Sequence, residues 1–175
     1  MYKALVCPFL SARKIATAAK ILTLSMTLSM TLGSEALASG GDSQHYWGFI
    51  DHSGKLVIEP KFISASNFHE GLAAVQISVK DKEESTVEKW GFIDSSGKLV
   101  IEAKFEEVLA FSEGLAAVKQ DKWGFIDKSG KFVIEPQFDQ VDRFSEGLAP
   151  AAIATLAWGF IDKTGHFKIE PVFKS

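Results

Sequence analysis

Four segments of the chain repeat one order of apolar and polar positions. They are WGFIDHSGKLVIEPKF from Trp47, WGFIDSSGKLVIEAKF from Trp90, WGFIDKSGKFVIEPQF from Trp123 and WGFIDKTGHFKIEPVF from Trp158. If Trp-Gly-Phe-Ile-Asp is extended, its side chains alternate: Trp47, Phe49 and Asp51 share one face and Ile50 takes the other. Asp-x-Ser/Thr-Gly comes next, an Asp that accepts backbone N–H bonds and a Gly that tolerates φ > 0. A β-branched run such as Leu-Val-Ile-Glu (56–59) follows, so each copy predicts two strands joined by a turn. Asp51, Asp94, Asp127 and Asp162, with Gly54, Gly97, Gly130 and Gly165, punctuate these hairpins. The first three copies continue into NFHEGLAAV (67–75), AFSEGLAAV (110–118) and RFSEGLAPA (143–151). There Phe-x-Glu-Gly predicts a turn and Leu-Ala-Ala-Val a third strand, which runs into the next Trp-Gly strand.

The chain thus divides into repeats at 47–89, 90–122 and 123–157 and a half repeat at 158–175, with Trp-to-Trp spacings of 43, 33 and 35 residues. The expected fold is all-β: an antiparallel meander of about three strands per full repeat and two in the half, 11 in total. It either forms an open twisted array or closes into a propeller- or barrel-like body. The extra length of the first repeat, at 76–89, is charged and reads as a solvated hairpin extension or loop. Pro60, Pro136 and Pro171 are expected where pairing of the second strand ends, with Ala103 in that slot in repeat two. Helix is expected, if anywhere in the repeats, only over 105–111. Eleven of the 14 phenylalanines fall in three recurring slots, 49/92/125/160, 62/105/138/173 and 68/111/144. One unit has too little core to fold alone, so stacking of neighbours is expected to supply stability.

Ahead of the repeats the pattern changes. Residues 1–20 hold Lys3, Arg13, Lys14 and Lys20 and no acid, 21–32 form an apolar run flecked with Ser and Thr, and Ala36-Leu37-Ala38 resembles a cleavage site. These are the parts of a secretory signal peptide over 1–38, cleaved after Ala38, with 39–46 as a short linker. The 12-residue apolar run is short against the ~20 residues that span a bilayer, which disfavours an uncleaved anchor. Removal of the leader changes the formal charge from −3 to −6. It also takes Cys7, the only cysteine, and with it any disulfide or thiol chemistry. An acidic exported chain argues against nucleic acid and against docking on anionic lipid.

The repeated residues resemble the WG-repeat family, also called KWG repeats. The tripeptide itself stands at Lys89-Trp90-Gly91 and Lys122-Trp123-Gly124, while Tyr46 and Ala157 replace the Lys in the other copies. The wider pattern, from Trp-Gly-Phe-Ile-Asp to Phe-x-Glu-Gly-Leu-Ala, is matched almost throughout 47–175. The resemblance implies a mainly bacterial, often exported group of β-rich interaction modules. It implies no catalytic residue set.

Candidate chemistry is weighed residue by residue. The four tryptophans suit a sugar-stacking ladder, but large aromatics at fixed repeat positions fit core anchors better. The recurring Asp offers too few converging oxygens for calcium and fits a turn. Glu59, Glu102, Glu135 and Glu170, with Glu70, Glu113 and Glu146, are too uniform for a glycosidase, whose two acids must differ in pKa. His45, His52, His69 and His166 occupy no equivalent positions. Residues 151–157 replace a polar hairpin with apolar side chains, either a partner contact or packing on a terminal repeat. The missing last block leaves an open end.

The sequence therefore leads us to expect an exported, periplasmic or extracellular, non-enzymatic binding or scaffolding module. No catalytic, cofactor or metal residues are expected. Its partner would be a protein or cell-envelope component, with no nucleic acid, no stable membrane insertion after cleavage, and possible self-association through the open edge. The alternatives are an envelope glycan hydrolase using repeat carboxylates and a self-associating structural subunit.

Overall fold

The structure is a computed structural model that describes residues 3–7, 45–153 and 157–171. The leader expected over 1–38 and the linker over 39–46 lie outside these residues, apart from 3–7 and 45–46. Among the described residues there is no helix. The segment 105–111, the only stretch of the repeats where the sequence left room for helix, is the end of one strand and a two-residue strand, Glu107–Val108. Its backbone is drawn into a ladder: the Glu106 N–H donates to the Lys119 carbonyl and that of Leu109 to Ala117.

Among the described residues, fifteen strands form four antiparallel sheets. The first holds β1 (Lys3–Cys7), β2 (Tyr46–Ile50) and β3 (Leu56–Phe62). The second holds β4 (Ser64–Ala65), β5 (Ala73–Lys80), β6 (Thr86–Ile93) and β7 (Leu99–Phe105). The third holds β8 (Glu107–Val108), β9 (Ala116–Gln120), β10 (Lys122–Ile126) and β11 (Phe132–Phe138). The fourth holds β12 (Gln140–Val141), β13 (Ala149–Ala152), β14 (Trp158–Ile161) and β15 (Phe167–Ile169). The 11 strands expected from the repeats are all present, joined by three two-residue strands and β1. Among the described residues no sheet closes into a barrel. The extension at 76–89 is a hairpin, with β5 and β6 paired from Ala73↔Ile93 to Lys80↔Thr86.

The sheet is not the sequence repeat. Each of the last three sheets joins the Leu-Ala-Ala-Val strand of one repeat to the first two strands of the next. In the first sheet, Lys3–Cys7 pairs with Tyr46–Ile50 and holds the slot that β5, β9 and β13 hold elsewhere.

The core lies between sheets. Phe49, Ile58, Phe62 and Phe68 cluster with Ala73 and Val75 of the second sheet, and Ile93 of that sheet completes the group. Ala74, on the other face of β5, belongs to the next cluster with Phe92, Phe105, Phe111 and Ile126. β9 repeats this arrangement, with Ala116 and Val118 on one side and Ala117 on the other. Strands buried on both faces between two aromatic layers have room only for small side chains, which explains the alanines. Within each layer the rings meet edge-on or tilted, as with Phe92 and Phe111 at 5.0 Å and Phe125 and Phe144 at 4.8 Å.

The prolines do not end their strands. Pro60 lies inside β3 and Pro136 inside β11, each at a bulge; only Pro171 follows its strand. Trp47 pairs with Phe62 but Phe49 with Ile58, so Gly48 alone spans Glu59, Pro60 and Lys61. The bulge arches over the glycine: a Cβ on Gly48 would stand 2.6 Å from the Ile58 carbonyl oxygen and 2.9 Å from Pro60 N. This close approach is why Gly follows Trp in every copy.

Candidate binding surface

The Asp turns are built as the sequence implies. Asp127 Oδ1 accepts from Ser129 N–H (2.8 Å), Ser129 Oγ (2.6 Å) and Lys131 N–H (3.2 Å). Asp51, Asp94 and Asp162 do the same with their own Ser or Thr. The hydroxyl bond is the largest cause holding all four carboxyls below the ordinary Asp range; for Asp162, Lys168 adds to Thr164. These acids are engaged within their own turns, and among the described residues no three His, Cys, Asp or Glu side chains are grouped to hold a metal.

The Glu of Phe-x-Glu-Gly ties one sheet to the next. Glu70 accepts from Gly114 N–H at 3.1 Å and pairs with Lys128 at 3.2 Å, and Lys128 Nζ also donates to the Glu70 carbonyl. Glu113 repeats this with Gly147 (3.0 Å) and Lys163 (3.1 Å). Lys163 is the main cause of the lowered Glu113 pKa. The Glu itself sits at positive φ (51° at Glu70, 52° at Glu113), ahead of an equally left-handed Gly, so the turn aims its carboxylate along the stack. The other recurring acids, Glu59, Glu102, Glu135 and Glu170, are exposed.

The tryptophans are not uniform core anchors. Trp123 is 9% exposed, Trp47 and Trp90 are half-buried, and Trp158, in the last sheet, is 43% exposed. Of the histidines, His45, His52 and His166 are exposed, His69 is half-buried, and the His166 ring meets Thr164 Oγ1 at 2.7 Å. The apolar segment 151–157 is divided: Ala151, Ala152 and Ala157 are buried and Ile153 is exposed, while 154–156 lie outside the described residues.

One recurring surface escapes a reading of the sequence alone. Along β3, Ile58, Pro60 and Phe62 point inward, while Val57, Glu59 and Lys61 point out. On β7 the outward side chains are Val100, Glu102 and Lys104, and on β11 Val133, Glu135 and Gln137. Lys61 Nζ stands 5.3 Å from the Phe62 ring centre and Lys104 Nζ 5.5 Å from that of Phe105, which orients both cations. Three successive edge strands thus carry an exposed apolar side chain, an anion and a cation or amide in fixed order. The signal was present in the recurring Leu-Val of the alignment, but only the strand order shows that these valines lie on outer edge strands with much of their surface exposed.

A family described as WG containing repeat matches the chain at residues 47–78, 90–122, 123–153 and 158–175. No curated protein and no solved structure matches it.

Proposed function

Because the chain belongs to the WG-containing repeat family, we propose that it is an exported, non-enzymatic module that binds or scaffolds through its repeated edge-strand surface. One observation carries this reading: the outward Val-Glu-Lys, Val-Glu-Lys and Val-Glu-Gln triplets on three consecutive sheets. A periodic surface suits a ligand that is itself extended, since each sheet adds one equivalent contact. The partner is an extended protein segment or a cell-envelope polymer, met outside the cytoplasm. The bulges on these edges, with Pro60 and Lys61 on β3, Lys104 on β7 and Pro136 on β11, oppose pairing with a foreign strand, so recognition runs through side chains. The glycan-hydrolase reading has less support, because Glu70 and Glu113 are bound to the next sheet by Gly N–H and Lys.

The test is a pull-down from envelope and secreted fractions with wild-type chain and with Val57→Ser, Val100→Ser and Val133→Ser combined. A partner held by the wild type and lost from the triple variant is expected. Equal retention by both chains refutes this surface. Export is checked by N-terminal sequencing of the chain recovered outside the cytoplasm, where a start at Ser39 is expected.

A further inference from the structure

On each edge strand the outward side chains begin one step before the triplet, at the lysine that closes the Asp turn. The Asp51 N–H donates to the Lys55 carbonyl at 2.9 Å, that of Asp94 to Lys98 at 3.0 Å and that of Asp127 to Lys131 at 2.9 Å, so pairing and its alternation reach these lysines. Each strand therefore shows a cation, a valine and an anion at every second residue: Lys55-Val57-Glu59 on β3, Lys98-Val100-Glu102 on β7 and Lys131-Val133-Glu135 on β11. The valines are 39%, 42% and 48% exposed. Among the described residues none of these lysines or glutamates is held in an ion pair. The three strands are the sheet edges opposite β1, β4 and β8, so cleavage of the leader leaves them in the chain.

The order cation, valine, anion is its own complement about the valine. If two such faces meet about a two-fold axis that runs along the stack through the valine column, their strands lie antiparallel. Val100 then meets the partner's Val100, Lys98 meets the partner's Glu102, and Glu102 meets the partner's Lys98. The first and third sheets repeat the same three contacts. A two-fold axis across the stack would instead set Lys on Lys and Glu on Glu. Opposed like charges are costly while exposed ion pairs add little, so the valines supply the attraction and the charges choose the orientation.

Spacing and size favour the same occupant. A second copy has the same sheet-to-sheet rise and twist as the face it meets, so a contact made at one sheet recurs at the next two without adjustment. Seven-residue strands are about 23 Å long and stacked sheets lie about 10 Å apart, so three edges form a face of roughly 500 Å². Two such faces bury about 1,000 Å², the lower limit of specific interfaces, which sets a weak and reversible contact. The valine column ends after three sheets: in the fourth the positions are His166, Lys168 and Glu170, and Lys168 is turned to Asp162 at 3.0 Å.

We propose that two copies of this chain pair side by side through β3, β7 and β11, their stacks parallel, with valine on valine and each lysine on the partner's glutamate. The contact is isologous, so it closes at two copies. It rests on the reading of the edge strands as a binding surface and names the occupant of that surface: an identical face, itself extended and periodic.

Sedimentation velocity of the chain as recovered from cells, across a wide concentration range, tests this. The wild type is expected to pass reversibly from monomer to dimer and no further. A cationic variant combines Glu59→Lys, Glu102→Lys and Glu135→Lys; an anionic variant combines Lys55→Glu, Lys98→Glu and Lys131→Glu. Each alone should raise the dissociation constant at least about tenfold, and a mixture of the two should dimerise again. Lys82→Glu, exposed on the turn of the β5–β6 hairpin, should leave association unchanged. All six exchanged residues are exposed, so melting profiles should stay near wild type. A dimer indifferent to these charges, or variants that fail to pair when mixed, would overturn the proposal. A wild type that is monomeric throughout, yet loses an envelope partner when the three valines become serine, overturns the dimer and leaves the binding surface standing. A charge-dependent dimer with no valine-dependent capture supports the dimer and removes the envelope partner.

Discussion

Gly124 lies under the bulge of β11, where a Cβ would stand 2.6 Å from the Ile134 carbonyl oxygen and 2.8 Å from Pro136 N. Both are backbone atoms, so there is no side chain to move aside. Gly124→Ala is expected to cost about 1–3 kcal/mol or more in urea unfolding. The Trp-Gly pair was legible in the sequence; its cause was not, because the clash depends on a register slip that no alignment displays. The Asp turns were legible in both form and cause, since Asp, Ser and Gly act within five residues. Asp51, Asp94, Asp127 and Asp162 hold their protons less tightly in the folded chain than an ordinary carboxyl. They therefore add stability above the unfolded value of about 4, and lose it as pH falls from there toward their folded values. Changing all four to Asn should lower stability at neutral pH, with the gap to wild type narrowing as pH falls below the unfolded value of about 4. Urea titrations at a series of pH values check this, and a constant gap down to the lowest pH would refute it.

The strand β9 shows what an element between two cores tolerates. Ala116 and Val118 face one aromatic layer and Ala117 the other. Ala117→Leu, a harmless change on a solvated strand face, is expected to cost about 1–3 kcal/mol by overpacking, read from the shift in urea midpoint. The β5–β6 extension behaves oppositely. Its outer half is exposed or half-buried, and its turn is an Asp81 copy of the hairpin turns. Replacing residues 78–88 with the single Asp of position 121, which keeps Ile77 packed on the first core, should leave the midpoint almost unchanged. Eleven strands and their turns could be read from alternation and punctuation. Two assignments could not. The prolines were placed at strand ends on the general rule, but the edge-strand bulge accommodates Pro60 and Pro136 within β3 and β11. The segment 105–111 lacks a strand pattern, yet its backbone follows β9 through two N–H bonds.

At the scale of the whole molecule, the same residue has a different worth according to its place in the stack. Phe125 and Phe160 are equivalent in sequence, but one is covered by the next sheet and the other is not. Phe125→Ala is expected to cost about 3–5 kcal/mol, while Phe160→Ala should cost well under half as much in a dilute chain; calorimetry or urea unfolding of the pair checks it. Trp123 and Trp158 follow the same gradient, which is why reading all four tryptophans as core anchors was too simple: burial here belongs to the neighbour, and a single repeat carries no record of its position. The offset between repeat and sheet reaches beyond stability. A cut just before Trp90 or Trp123 falls inside a sheet, parting strands that are hydrogen-bonded along their length. A cut near residue 63, 106 or 139 falls between sheets. Gene fragments, domain grafts and unequal recombination that respect the eye-catching Trp-Gly boundary would therefore split a structural unit at every join. Those phased a half-repeat later would exchange whole sheets, and an array of this kind can lengthen or shorten cleanly only in that phase.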